Sequence, residues 1–210
     1  MEKQTIRTFG RRHGKKLSAR KTFLMTDVLP QIHPTNIPDG AILEIGFGAG
    51  EHVRALATAN PDTIIVGAEP FENGVASLMS AITDEKTNAI LPEYENIRIF
   101  PDDVRLYLDN STTKFSQIWV LHPDPWPKAR HEKRRLLQTE FIQMLSTHLA
   151  PNGEIIIGTD HWEYFDWIVQ RATESGLCFS TPDLDIIQTR YQTKNMAATA
   201  APKYIIIRNK

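Results

Sequence analysis

The sequence of 210 residues has little cysteine and no long apolar run, and both shortages exclude classes of protein. A single cysteine, Cys178, makes an intramolecular disulfide impossible and argues against a cysteine-based zinc site. No apolar run approaches the roughly 20 residues of a membrane-spanning helix, and the first residues lack the apolar stretch of a secretory signal. We therefore expect a cytoplasmic protein that has no membrane association, no metal site and no obligate protein partner.

The net charge is also small, at −1, but it is unevenly distributed. Residues 1–21 contain eight basic residues and one acid, which gives +7 and leaves −8 for the rest of the chain. A basic arm on an acidic body indicates binding to nucleic acid or to another anionic surface. The alternative is a solvated tail, and charge alone does not decide between the two.

After Gly40, short apolar runs alternate with helical patterns. Strands are expected at 41–46, 63–69, 97–100, 118–121, 154–158 and 204–208, and helices at 51–59, 73–83, 131–149 and 162–172. The alternation predicts an α/β fold in one domain spanning 1–210, with a doubly wound, mostly parallel sheet, helices on both faces and a basic arm at about 1–21. Because such sheets bind ligands at the carboxyl ends of their strands, the residues after each strand are candidates for the site.

A glycine-rich loop follows the first strand, with the sequence E-I-G-F-G-A-G at 44–50. Gly46, Gly48 and Gly50 allow a tight turn and close approach of a ligand. The third glycine comes one residue too early for a dinucleotide fingerprint, and the loop resembles the cofactor loop of class I S-adenosylmethionine (AdoMet) methyltransferases. A plain tight turn is the alternative.

Acidic residues follow the next two strands. Glu69 ends the second strand, where a carboxylate can accept hydrogen bonds from ribose hydroxyls. Asp102, or its neighbour Asp103, follows the third strand, where an acid could accept from an adenine amino group. Together with the glycine loop, these acids favour AdoMet as the cofactor.

A proline-rich segment follows the fourth strand, with Pro123, Pro125 and Pro127 alternating with Asp124 and Trp126. The prolines fix φ and restrict the preceding residues, so we expect residues 123–127, here termed the rail, to be stiff. A rigid carboxylate beside an aromatic ring suits a planar base that has left its stack. The alternative is an extended loop with a buried tryptophan.

Five cations come directly after the rail and are expected at the start of the long helix at 131–149. They are Lys128, Arg130, Lys133, Arg134 and Arg135. Cations at a helix N-terminus oppose the helix dipole, so a bound phosphate would relieve the repulsion there. An ordinary solvated face is the alternative.

The segment P-D-P-W-P-K-x-R-H-x-K-R-R at 123–135 resembles the signature of bacterial tRNA (guanine-N7-)-methyltransferases, the TrmB family. The resemblance covers nearly the whole chain. F-G-R-R at 9–12 is similar to the family's N-terminal motif, G-T-D at 158–160 to the motif after the fifth strand, and T-R-Y-Q at 189–192 to a C-terminal T-K-F-E motif. Gln192 departs from the family's glutamate, keeping an acceptor but losing a charge.

The resemblance implies a Rossmann-like class I methyltransferase fold with a seven-stranded sheet, and a role for each matching residue. Asp124 is the implied catalytic residue. The implied cofactor residues are Glu44, Gly46, Gly48, Gly50, Glu69, Asp102 and Asp124. The implied substrate residues are Lys128, Asp160, Thr189, Arg190, Tyr191 and Gln192. The implied RNA-binding residues are Arg11, Arg12, Arg130, His131, Lys133, Arg134 and Arg135.

The implied reaction is methyl transfer from AdoMet to N7 of a guanosine in the tRNA variable loop, at position 46. Guanine N7 carries a free lone pair, so the task is to align the reacting groups and stabilise charge. Two alternatives remain on the sequence. One is a methyltransferase of another RNA, a protein or a small molecule; the other is a non-catalytic RNA-binding module.

Overall fold

One seven-stranded sheet forms the centre of the computed structural model, which describes residues 8–183 and 201–209. The strands are β1 (Ile42–Ile45), β2 (Ile65–Ala68), β3 (Ile97–Phe100), β4 (Phe115–Leu121), β5 (Leu149–Thr159), β6 (Cys178–Ser180) and β7 (Lys203–Arg208). Their order is β3-β2-β1-β4-β5-β7-β6, and β7 runs antiparallel to both of its neighbours. The mostly parallel α/β fold is thereby confirmed.

In the described part of the chain, six α-helices connect or flank the strands. They are α1 (Ala19–Phe23), α2 (Glu51–Ala59), α3 (Glu72–Ala81), α4 (Val104–Leu108), α5 (Thr139–Thr147) and α6 (Trp162–Ser175). A π-helical turn at Leu24–Val28 and a 3-10 turn at Leu29–Ile32 continue α1, and further 3-10 turns occur at Pro92–Tyr94 and Ala129–Arg134. No described helix is both long and apolar enough to span a membrane.

The hydrophobic core lies on both faces of the sheet, because side chains alternate between the faces along each strand. On β1, Ile42 packs into the cluster that contains Val53 of α2 and Leu78 of α3. Leu43, its neighbour, packs into the opposite cluster with the residues of α5 and α6. Both β1 side chains are buried, as a strand covered on two faces requires.

The strand register brings the candidate residues to one edge. Ile45 at the end of β1 pairs with Ala68 at the end of β2, which pairs in turn with Phe100 at the end of β3. On the other side of β1, Ile45 pairs with Val120, one residue before the end of β4. The loops after these four strands therefore open at the same carboxyl edge.

The expectation of a long helix at 131–149 is wrong. Ala129–Arg134 is a separate 3-10 helix, Arg135 has extended ψ of 133°, and α5 begins only at Thr139. The first turn of α5 contains the acid Glu140 and no cation. The dipole argument for phosphate binding fails, since the cations are not at the N-terminus of α5.

Two short elements, α4 and β6, lacked a sequence signal. Asp103 caps α4 by accepting a hydrogen bond from the Arg105 backbone N–H, the local role of an N-cap aspartate. Within β5, residues 150–153 form an irregularity, where pairing with β4 shifts between Phe115 and Gln117.

Candidate active site

A cavity of about 970 Å³ opens at the carboxyl edge of β1, β2 and β4. Gly46, Glu69 and residues 122–124 contribute to its walls, each directly after one of those strands. Residues 8–11 of the arm and residues 133–136 close the opposite side. The volume is near the top of the range of about 300–1,000 Å³ that is typical of small-molecule sites, so one cavity has room for a cofactor and part of a substrate.

The glycine loop leaves space at the two positions that face this cavity. Gly46 and Gly48 have positive φ of 75° and 58°, and a Cβ at either would meet no atom within 4 Å. Gly50, also at positive φ, differs, because a Cβ there would lie 2.6 Å from Leu78. The first two glycines thus form an open cradle that fits AdoMet, and the third allows the loop to pack on α3.

Glu69 connects the glycine loop to the loop after β2. One carboxylate oxygen accepts from the Gly48 N–H at 2.8 Å, and the other accepts from the Phe71 N–H at 2.8 Å. Burial raises the pKa of Glu69, and the two backbone hydrogen bonds oppose that rise. The carboxylate borders the cavity, where its remaining lone pairs suit ribose hydroxyls.

Glu44 is buried behind the glycine loop. Its carboxylate lies 2.9 Å from Nδ1 of His52 on α2, and the two residues are 3% and 4% exposed. The His52 ring in turn packs edge-on against Trp119 of β4. This pair holds the loop against α2, and cofactor contact by Glu44 stays a prediction.

The two aspartates after β3 have different surroundings. Asp103 borders the cavity, but its carboxylate is engaged by the Arg105 side chain at 2.6 Å and by the Thr8 hydroxyl at 2.7 Å. Asp102 forms a 2.6 Å ion pair with Arg12 of the arm. Both predicted acceptors for adenine are therefore tied to basic groups or to the arm in this structure.

Asp124 lies at the mouth of the cavity and is exposed. Desolvation by the surrounding protein raises its pKa. A Cβ at Gly10 would lie 3.7 Å from Asp124 Oδ2, so the arm passes directly beside the carboxylate. This places the proposed catalytic group beside the arm, in the cavity that the glycine loop also borders.

The backbone departs from the conformation that proline favours in the preceding residue at two positions, one directly before the rail and one within it. His122 and Trp126, each followed by a proline, have positive φ of 49° and 41°. This backbone region is costly for residues other than glycine, by about 1–3 kcal/mol each, and is retained only where the surroundings enforce it. The rail is thus strained, and its prolines alone do not account for its shape.

Most of the predicted RNA-binding cations lie at the surface. Arg11, Arg12, Lys128, Arg130 and Lys133 are exposed, and His131 and Arg134 are partly so. The guanidinium of Arg134 lies 5.1 Å from the centre of the Trp126 ring and 5.7 Å from that of Phe9, linking arm and rail. Desolvation and the neighbouring cations lower the pKa of His131, which leaves it neutral near pH 7.

Arg135 is the exception among these cations. It is 6% exposed, and its Nε donates to the Pro125 carbonyl at 2.8 Å. Its guanidinium stacks on Trp167 of α6. This geometry corrects the expectation that Arg135 lies on a phosphate-binding surface. The sequence shows five cations close together, but it does not show that one of them points inward.

Asp160 lies at the same edge, after β5. Its carboxylate is 3.7 Å from Nδ1 of His122, whose pKa is lowered by desolvation against the opposing effect of Asp160. The N-cap of α6 is His161, not Asp160, so helix capping does not explain Asp160. The predicted substrate residues Thr189, Arg190, Tyr191 and Gln192 lie outside the described residues.

The sequence pattern did not identify Gly74 of α3, where this helix packs against the glycine loop. A Cβ there would lie 2.4 Å from the Gly48 carbonyl oxygen, so only glycine allows α3 to pack this closely on the cofactor loop. A lone glycine inside a helical pattern is the signal that could have found it, since it is unfavourable there without a packing reason.

Comparison with known proteins identifies the family. A family model described as "Putative methyltransferase" matches residues 39–201. A tRNA (guanine-N(7)-)-methyltransferase of Neorickettsia sennetsu is 38% identical over 82% of this chain and 77% of its own. The enzyme of that name from Caulobacter vibrioides is 34% identical over 93% of this chain and 92% of its own.

Solved structures agree at the level of the fold. The precorrin-6y C5,15-methyltransferase of Geobacter metallireducens superposes with a TM-score of 0.57 at 13% identity, covering 95% of this chain and 94% of its own. The 16S rRNA methyltransferase KamB gives 0.57 at 13% identity, over 92% and 93%. The chain has the Rossmann-like class I methyltransferase fold and belongs to the tRNA (guanine-N(7)-)-methyltransferase family.

Proposed function

We propose that this protein transfers a methyl group from AdoMet to N7 of a guanosine in tRNA, at position 46 in the variable loop, in the cytoplasm. One observation carries the proposal beyond family membership. The same cavity borders the open glycines of the cofactor loop and Asp124, so cofactor and base can meet in one cavity. Arg11 of the arm, Lys133 and Arg134 also line that cavity.

The residues that would hold the cofactor are Gly46, Gly48 and Glu69. The backbone at the two glycines is open to a ligand, and the Glu69 carboxylate is fixed by two backbone N–H groups before any ligand arrives. When bound, AdoMet supplies a sulfonium-activated methyl group, which the lone pair of guanine N7 accepts without first losing a proton. Because the base needs no deprotonation, the protein's contribution is placement and charge stabilisation.

Asp124 supplies the negative charge for this stabilisation. An ionised carboxylate accepts hydrogen bonds only, so it suits the N1–H and N2–H donors of guanine and rejects the acceptor N1 of adenine. Methylation at N7 leaves the base cationic, and a carboxylate on its opposite edge stabilises that charge. Trp126 lies two residues along the rail, where its ring can stack on an unstacked base.

The arm and residues 128–134 would hold the tRNA backbone. Both segments are rich in exposed cations, and the stack of Phe9, Arg134 and Trp126 joins them at the cavity. Their contacts to phosphate are independent of sequence and depend on salt. The cavity then selects the guanosine, and the cationic surface binds the tRNA backbone.

The test is to incubate the protein with AdoMet and unmodified tRNA and to map 7-methylguanosine by borohydride and aniline cleavage. We expect one cut in the variable loop with the wild type and a strongly reduced cut with Asp124→Asn at equal AdoMet binding. Intact AdoMet binding without any cut would refute the tRNA reaction. A cut elsewhere in the tRNA would refute the position.

A further inference from the structure

Arg135 connects the rail to helix α6. Its Nε donates to the Pro125 carbonyl at 2.8 Å, and its Nη2 makes a longer, 3.4 Å contact with the Trp126 carbonyl. On its other side, the guanidinium lies 4.9 Å from the centre of the Trp167 ring and 5.3 Å from that of Tyr164. One planar group thus bridges two consecutive carbonyls of the rail and two aromatic rings of the scaffold.

The rail requires such a support for two reasons. Trp126 has a strained backbone at φ of 41°, which persists only if surrounding contacts hold it there. Across residues 8–183 and 201–209, no hydrogen bond or ion pair fixes the Asp124 carboxylate, and its pKa is raised by desolvation from the surrounding protein alone. The position of Asp124 therefore depends on the main chain of the rail, which Arg135 holds at the two residues that follow Asp124.

The contact requires arginine and not merely a cation. A guanidinium has donors in a rigid plane, so it can serve adjacent carbonyls while stacking face-on with aromatic rings. A lysine ammonium keeps the charge but has no plane to stack and no fork to bridge two carbonyls. Tyr164 itself is fully buried and Trp167 packs against the same core, so the platform under Arg135 is rigid.

We propose that Arg135 is a positioning residue, which places Asp124 for the reaction by fixing the Pro125 and Trp126 carbonyls against α6, and that it does not bind tRNA phosphate. The effect of Arg135 on turnover rests on the proposed function, whereas its effect on the position of the rail does not. A shift of the rail by about 1 Å would misalign Asp124 and reduce turnover by up to about 100-fold.

The test compares Arg135→Lys with Arg171→Lys. The guanidinium of Arg171 also lies over the Trp167 ring, at 5.3 Å from its centre, and pairs with Glu174; no hydrogen bond or ion pair joins it to the rail among the described residues. For Arg135→Lys we expect kcat to fall about 10- to 100-fold, with unchanged KM for tRNA and unchanged dependence of KM on salt. Hydrogen exchange should accelerate on either side of the rail, at the His122 amide, which donates to the Gly158 carbonyl, and at the His131 amide, which donates to the Lys128 carbonyl. Arg171→Lys should show neither change.

Two outcomes would overturn the proposal. One is unchanged exchange and kcat with a raised KM and a salt slope reduced by about one, the signature of a lost phosphate contact. The other is unchanged exchange at the His122 and His131 amides that flank the rail, whatever the activity. If the lysine variant does not fold, by circular dichroism and thermal melting, Trp167→Phe weakens the same stack and should give a smaller effect in the same direction. A wild type that fails to methylate tRNA would refute the proposed function alone, because exchange still reports on the rail.

Discussion

Replacing Gly74 by alanine tests whether the packing of α3 on the glycine loop sets cofactor affinity. The added Cβ would lie 2.4 Å from the Gly48 carbonyl oxygen and 3.4 Å from Cγ of Glu69. Ordinary contact begins at about 3.4 Å, so α3 and the loop must separate by about 1 Å. The clash is with backbone, which cannot rotate away as a side chain could.

Two opposing free energies decide the outcome. Alanine is favoured over glycine inside a helix by about 1 kcal/mol. Overpacking a tight contact costs about 1–3 kcal/mol. We expect the free energy of unfolding to fall by at most about 2 kcal/mol, which for a chain of this size lowers Tm by at most about 4–8 °C. The displaced loop must be restored on binding, so the Kd for AdoMet should rise about 5- to 150-fold.

Calorimetry with AdoMet and a thermal melt measure the two effects separately. Ser80→Ala is a matched control, because it raises helix propensity on the same helix and its hydroxyl bonds only to the Ala76 carbonyl. It should leave AdoMet affinity unchanged. If Gly74→Ala raised Tm and bound AdoMet like the wild type, the contact with Gly48 would not matter and the reasoning would be refuted.

Four further predictions concern the reaction and the binding of its two substrates. Asp124→Asn places an amide donor opposite the donors of guanine and should lower kcat/KM for tRNA about 100- to 1,000-fold at unchanged AdoMet affinity; a turnover near that of the wild type would contradict the role of the carboxylate. Desolvation raises the pKa of Asp124 above the value of about 3.9 for an ordinary aspartate. As pH falls, the ionised carboxylate is therefore lost at a higher pH than for an ordinary aspartate, and kcat should decline there. A kcat that stays constant down to about pH 3.9 would contradict this prediction. Burial raises the pKa of Glu69 above the ordinary glutamate value of about 4.3. When the pH is lowered, Glu69 should therefore gain a proton, and AdoMet affinity measured by calorimetry should weaken, before a pH of about 4.3 is reached. Raising the pH should leave the affinity unchanged. Reversing Arg130 and Lys133 together to glutamate should raise KM for tRNA and reduce its salt slope by about two, and an unchanged slope would count against contact by these exposed residues.

The sequence predicted the sheet well and the contacts around it poorly. Strand β3 was predicted residue for residue, and α2 likewise, because both are continuous local patterns bounded by breakers. A helix was expected at 131–149 because the apolar residues of α5 have helical spacing. It was wrong because Arg135 turns inward and interrupts the segment that precedes α5. Periodicity reports the face of a helix and does not locate its beginning.

The arm shows the same limit. Its charge was visible in the sequence, but its docking was not. Arg12 pairs with Asp102 and Thr8 bonds to Asp103, each across about ninety residues of sequence. Arg20 reaches the Thr83 hydroxyl in the same way. Such pairs join distant segments, so no local pattern encodes them.

The sequence by itself determined the α/β fold, the glycine loop after β1, the acids after β2 and β3, and the rail that carries Asp124, because each is a local signal of residue type and spacing. Only the tertiary structure decided which groups face the cavity. It tied Asp102 to Arg12 and Asp103 to Thr8 of the arm, and it turned Arg135 from the surface to the support of the rail. The physical reason is that a side chain's direction follows from packing against partners far away in sequence, such as Trp167 for Arg135.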